Sequence, residues 1–349
     1  MKSSLPVLVA TLSVIVGCVG SSSPPEETGS SAAPIEEGES AACDRVVREE
    51  KLVSVADGVS LDVLEKRTAR GLAAHPRRAL LMLPPTLAAN RIFDADVPGN
   101  PSFDALGRAA QEGYLAFSPS YEGYGLSTHP ADGGSVTAQR CLADVEALVE
   151  WIRKTHDVDK VDVFGMSIGS SLAVALGGTL EGEAREHIGH IVLASNVYAS
   201  VTPFFQQAFF NPGLLSFLQS APNGYVATDA SAYAVLLSNA VPSAVTWLDG
   251  ALPGTYATGP TLAGFRLPVF PAEQGRAPML QIWGTEDPVT PASDVAAFQA
   301  AYGGPASLHV IQGGGHSIAF EAGRDELWTS TFQFLNDGRP SMREVPCPN

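Results

Sequence analysis

The stretch Val161-Asp162-Val163-Phe164-Gly165-Met166-Ser167-Ile168-Gly169 decides how this chain is read. Val161 to Phe164 has the make-up of a short strand, and Ile168 to Leu180 is apolar and small, as in a helix packed on a sheet. Gly165 and Gly169 stand two positions before and two positions after Ser167. A strand-to-helix turn tight enough to lift a serine hydroxyl above a sheet has no room for bulky side chains there. The same turn sets the Ile168 amide at the start of a helix, where the dipole favours a negative oxygen. Ser167 is therefore a candidate nucleophile and the Ile168 N–H a candidate oxyanion donor.

A serine hydroxyl is a weak nucleophile until a base takes its proton. Gly313-Gly314-Gly315-His316 follows the apolar run Leu308 to Ile311, read as the last strand. A glycine loop in that place lets His316 swing above the sheet edge towards Ser167. The imidazole needs a third group to hold its tautomer and offset its charge. Asp287 lies in Trp283-Gly284-Thr285-Glu286-Asp287-Pro288-Val289-Thr290-Pro291, just past the preceding strand. The resulting order is Ser, Asp, His. Glu286 is the rival acid, but neighbouring residues do not both point at one imidazole. After the strand ending near Ala194 only Asn196 stands where an acid could be. A second oxyanion donor is expected from the loop after Leu83, which reads Pro84-Pro85-Thr86-Leu87. Pro85 has no N–H, so the donor is the Thr86 amide, or that of Leu87 if the loop shifts by one.

The rest of the chain keeps the same rhythm. Lys51 to Ala56, Asp57-Gly58 and Val59 to Lys66 read as a hairpin, since Asp-Gly supplies the positive φ angles of a tight turn. Ala79 to Leu83 is a continuous apolar run, as expected of a strand buried on both faces. A helix over Phe103 to Gly113, a strand over Tyr114 to Phe117 and a helix over Val136 to His156 follow. Leu142, Val145, Leu148, Val149 and Ile152 mark the apolar face of that last helix. Further strands are expected over His190 to Ala194 and Met279 to Trp283, and helices over Pro291 to Tyr302 and Phe320 to Leu335. Such alternation argues for an α/β fold, a mostly parallel sheet with helices on both faces. Residues 200–275, rich in Pro, Gly, Phe and Tyr, break the rhythm and read as an insertion over the C-terminal edge of the sheet, with short helical pieces and no strong strand.

Together these residues resemble the α/β-hydrolase superfamily over roughly residues 51–337 apart from the insertion. They are most similar to its serine aminopeptidase and tripeptidyl-aminopeptidase-like branch, through Gly284 to Pro291 and Gly314-Gly315-His316. Ser120-Tyr121-Glu122-Gly123-Tyr124-Gly125-Leu126-Ser127 is similar to the D-x-R-G-x-G-x-S loop of that branch, with Glu122 where Arg is usual. The resemblance implies an eight-stranded sheet with a small lid and two-step acyl transfer without cofactor or metal. The insertion carries Phe204, Phe205, Phe209, Phe210, Leu214, Leu215, Phe217 and Leu218, which suit an apolar acyl pocket and favour carboxylic esters. Tyr121, Phe204 and Phe205 are the candidate pocket residues. An aminopeptidase would need a carboxylate for the substrate's α-ammonium, for which Glu122, Asp229 and Asp249 are candidates. A non-catalytic surface binding protein is a third reading, opposed by a Ser-Asp-His set complete in kind and order.

Met1-Lys2 followed by the uncharged run Leu5 to Val16 reads as a targeting segment, too short for a comfortable membrane span. Ile15-Val16-Gly17-Cys18 resembles a bacterial lipobox, which implies acylation of Cys18 and a membrane anchor; the Val19 that follows favours the outer membrane or cell surface. The chain then divides into a signal peptide (residues 1–17), a Ser-, Pro-, Glu- and Ala-rich tether (18–42) and the hydrolase-like domain (43–349). Cys43, Cys141 and Cys347 remain, enough for at most one internal pair. With 21 Lys and Arg against 37 Asp and Glu, the net charge of −16 makes nucleic acid a poor partner. The expected partners are a small-molecule ester or peptide and a membrane. His187 and His190 are the closest histidines, and no Cys or carboxylate pattern completes a metal site around them.

Overall fold

A computed structural model describes residues 43–74, 77–178, 186–228, 236–252 and 254–339. The readings of the signal segment and tether, of Cys18 and Cys347, and of Asp229 fall outside these residues. The strands are β1 (Val47–Ala56), β2 (Val59–Arg67), β3 (Arg78–Leu83), β4 (Tyr114–Pro119), β5 (Val161–Met166), β6 (Ile188–Ala194), β7 (Tyr225–Thr228), β8 (Gly254–Ala257), β9 (Met279–Gly284) and β10 (Ala306–Ile311). The helices are α1 (Ala69–Ala73), α2 (Ala105–Gln111), α3 (Ala138–His156), α4 (Ile168–Leu176), α5 (Pro203–Ala208), α6 (Pro212–Gln219), α7 (Pro242–Ala251), α8 (Gly259–Ala263), α9 (Ala292–Ala301) and α10 (Arg324–Leu335).

Eight strands form one sheet in the order β1-β2-β4-β3-β5-β6-β9-β10. β2 pairs antiparallel with β1 and with β4, and the remaining pairs are parallel. Period-two alternation along β3 sorts its apolar side chains between two cores. Leu81 and Leu83 join Val145, Leu148, Leu172 and Phe298 of α3, α4 and α9 on one face. Leu80 and Met82 join Leu106, Trp328 and Phe332 of α2 and α10 on the other. This is why the central strands read as unbroken apolar runs. Helix ends follow local chemistry: the Thr137 side chain caps α3, and the Asp104 side chain caps α2 so that it starts at Ala105 and not Phe103. α4 stops at Leu176, short of Leu180, with Gly177 as its cap. The chain closes on itself at Gly178, where a Cβ would fall 2.3 Å from the Gln274 carbonyl oxygen.

Between β6 and β9 the chain holds α5 to α8 and an antiparallel pair, β7–β8. Where no strong strand was expected, the insertion holds this short pair. Four-residue strands carry too little pattern to be read; these are fixed by tertiary contacts instead. Tyr256 packs edge-on against buried Tyr124 at 5.0 Å, and the Tyr225 hydroxyl donates to the Pro130 carbonyl at 2.9 Å. Cys43 is disulfide-bonded and Cys141 is a buried free thiol, so the internal pair excludes Cys141.

Beneath this region, buried Glu122 is paired with Arg140 of α3. Asp144, one turn further along α3, shares the site. Burial, and then the Glu122 charge, raise its carboxyl from 3.8 to about 6, with Arg140 pulling the other way. A folded-state value above the unfolded one means the group stabilises the fold at low pH, and this is lost as pH rises from about 4 through about 6. Asp144→Asn is therefore expected to raise the melting temperature more at about pH 8 than at about pH 4. Thermal melts of both proteins across that range check it; equal shifts at both ends would show that Asp144 does not titrate there.

Candidate active site

The turn from β5 into α4 places Ser167 at φ 56°, ψ −117°, outside the regions that L-residues favour. Such a backbone costs about 1–3 kcal/mol and persists only where its surroundings impose it. Here they do so by close approach. A Cβ on Gly165 would lie 2.3 Å from the Gly169 carbonyl oxygen, and one on Gly169 would lie 2.2 Å from that of Leu83. The Ser167 amide donates to the Ala194 carbonyl at 3.1 Å, tying the turn to β6. Ser167 Oγ is thus held above the C-terminal ends of β3, β5 and β6.

The loop after β10 brings His316 Nε2 to 3.1 Å from Ser167 Oγ. On its other side His316 Nδ1 lies 3.0 Å from both carboxylate oxygens of Asp287. Asp287 is buried, and its Oδ1 accepts from the Val289 amide at 2.7 Å and the Thr290 amide at 3.0 Å, which fixes the carboxylate plane. Glu286 is exposed and only its backbone takes part: its N–H donates to the Gly314 carbonyl at 2.9 Å. The structure therefore brings Asp287, not Glu286, to the imidazole.

Ser167 and His316 open into a cavity of about 160 Å³, roofed by Phe205, Phe209, Phe210 and Phe265 of the insertion and floored by Ile168, Thr86 and Leu87. Thr86 and Leu87 both border it, and Leu87 adopts a positive φ of 59°. Two non-glycine residues in the left-handed region thus meet at one cavity. The aromatic roof is stacked, with Phe205 and Phe209 ring centres 4.7 Å apart and Phe210 and Phe265 4.8 Å apart.

Two of the expected pocket residues are corrected. Tyr121 is 1% exposed and does not line the cavity; its hydroxyl donates to the Pro84 carbonyl at 2.8 Å and so fastens the Pro84–Leu87 loop from behind. Phe204 is 55% exposed, because the turn of α5 that points Phe205 inward points its neighbour outward. Sequence reasoning missed Phe265, Leu236 and Thr261, which also border the cavity. Nothing local marks them: they arrive there only through the path of the insertion. Among the described residues no carboxylate lines the cavity. Of the ammonium-binding candidates, Glu122 is buried against Arg140, and Asp249 is exposed on α7. No described group of His, Cys, Asp and Glu could hold a metal ion.

A sequence profile for the α/β-hydrolase fold matches residues 80–323. The chain belongs to the α/β-hydrolase fold family. Solved structures of similar fold include an esterase from Exiguobacterium antarcticum, at a TM-score of 0.60 and 16% identity over 82% of this chain and 100% of that one. A thermophilic esterase from Thermogutta terrifontis gives 0.59 and 14%, over 83% and 98%. A membrane phospholipase A, described as a bacterial virulence factor, gives 0.60 and 16%, over 85% and 87%. At such identities the likeness is one of fold. No curated protein matches the sequence.

The crowding at the turn gives a direct test. Gly169→Ala would drive a methyl group into the backbone of Leu83 and Pro84, and is expected to destabilise by about 1–3 kcal/mol or more. Urea unfolding measures this; wild-type stability would mean that the turn is looser than described.

Proposed function

We propose that the protein is a serine hydrolase that cleaves carboxylic esters with a compact apolar acyl group. The observation that carries this is His316 bridging Ser167 and Asp287 at the mouth of an apolar cavity. In this reading Ser167 Oγ attacks the ester carbonyl while His316 Nε2 takes its proton. The amides of Ile168, at the start of α4, and of Thr86 stabilise the oxyanion. His316 then protonates the leaving alkoxide. In the second half, water deprotonated by His316 attacks the acyl-enzyme and frees the acid.

The cavity argues for the substrate class. An apolar void of about 150 Å³ is the size that takes a benzene ring, and this one measures about 160 Å³. That suits a short acyl chain or a single ring. The absence of a carboxylate from the described lining speaks against an aminopeptidase, which must hold an α-ammonium group. The esterases among proteins of similar fold support the same choice. We further read Cys18 as a lipidated anchor that keeps the enzyme at the outer membrane or cell surface.

The test compares nitrophenyl esters of increasing acyl length with aminoacyl and tripeptidyl nitroanilides. Short-chain esters are expected to turn over best, with Ser167→Ala lowering kcat by about 10⁴-fold or more. Asp287→Asn should cost about 10⁴-fold by leaving the wrong imidazole tautomer. Anilides with a free α-amino group outrunning the esters would overturn the ester reading in favour of a peptidase.

A further inference from the structure

Residues 236–241 of the insertion, which lead into α7, pass directly beside the loop that carries His316. The Leu236 side chain borders the acyl cavity, while its carbonyl accepts from the Ser317 amide, next to His316, at 3.1 Å. Ala240 forms an antiparallel bridge with Glu321. The Val241 amide donates to the Phe320 carbonyl at 3.1 Å, and the Ala322 amide to that of Asn239 at 3.0 Å. Side chains add to this ladder. The Asn239 amide group donates to the Gly313 carbonyl, and the Ser238 hydroxyl to the Glu286 carbonyl at 2.8 Å, reaching the loop of Asp287 as well.

Glu321 sits where these strands of contact cross. It is fully buried. One carboxylate oxygen accepts from the Gly315 amide at 2.5 Å and the other from the Ser238 amide at 3.2 Å, so one side chain joins the histidine loop to the insertion. Burial pushes the Glu321 carboxyl up from its ordinary range, and these two amides pull it back. A buried carboxylate is costly unless hydrogen-bonded, and Glu321 meets that need only by holding amides of two separate segments together. Gly315 is part of the same fit: a Cβ there would fall 2.5 Å from a Glu321 oxygen and 2.7 Å from the Ser238 hydroxyl.

We propose that residues 236–241 clamp the histidine loop, with Glu321 as the positioning residue, so that filling of the acyl cavity and the aim of the His316 imidazole are linked. This rests on the ester-hydrolase reading. Acyl groups that press on Leu236 are transmitted through its carbonyl to Ser317, and through Ser238 and Glu321 to Gly315, the residues on either side of His316. Glu321 touches neither substrate nor reacting atoms; it acts through the loop.

The experiment uses the full chain carrying Glu321→Gln, Ser238→Ala or Asn239→Ala. Each is compared with wild type in nitrophenyl butyrate hydrolysis, in thermal melting, and in the low-field proton resonance of an imidazole Nδ1–H held by a carboxylate. Glutamine keeps one acceptor but turns a donor towards the other amide. It is expected to lower kcat by about tenfold or more, with KM within about twofold, because misaim of a catalytic group costs turnover more than binding. The low-field resonance should shift or broaden. Ser238→Ala and Asn239→Ala lie at exposed positions. They should lower kcat several-fold at unchanged melting temperature, and they decide the matter if Glu321→Gln does not fold. A fall in melting temperature with kcat per folded molecule and the resonance unchanged would overturn the clamp, as would full activity in both exposed variants. If wild type shows no Ser167-dependent hydrolysis, the ester reading fails, and the resonance in the three variants still decides whether the clamp positions His316.

Discussion

The whole site depends on how closely backbone can approach backbone at the β5–α4 turn. The Gly169 position lies against the Leu83 carbonyl, and Gly165 against Gly169, with no space for a Cβ at either. That approach joins β3, β5 and α4 at one point. It holds Ser167 in a left-handed conformation that the chain would otherwise leave. It also sets the Pro84–Leu87 loop and the first turn of α4 at the border of one cavity. The rigidity comes from the sheet, whose central strands are buried on both faces and leave the turn nowhere to relax.

Around this fixed point the remaining groups are held by loops rather than by regular structure. Asp287 is fixed by the amides of Val289 and Thr290, and His316 by Asp287 on one side and the insertion on the other. The insertion therefore does more than cover the cavity. Phe205, Phe209, Phe210 and Phe265 supply the roof, while residues 236–241 are stitched to the loop of the imidazole. A substitution far from the chemistry in chain position can on this account alter turnover without touching the substrate.

The electrostatics of the two regions differ in kind. The cavity is apolar, so a charge that develops at its mouth would meet few competing dipoles. Among the described residues no carboxylate lines it. Glu122 is neutralised by Arg140 below the insertion, and Glu321 is spent on backbone amides.

Much of this was legible in the chain itself. Gly165-Met166-Ser167-Ile168-Gly169 between an apolar strand and a small-residue helix leaves few other local structures, because only glycine tolerates those contacts. The period-two and helical patterns determined the layered sheet, and chain order placed Asp287 and His316 beyond the last two strands. What the sequence could not determine is everything set by non-local packing. The outward turn of Phe204, the burial of Tyr121 behind the Pro84 loop, the short β7–β8 pair and the arrival of Phe265 and Leu236 at the cavity leave no periodic trace. Nor does Glu321, whose contacts exist only because residues 236–241 of the insertion pass beside the histidine loop. Local pattern records which face of an element is apolar, whereas only the tertiary structure decides which partner that face meets.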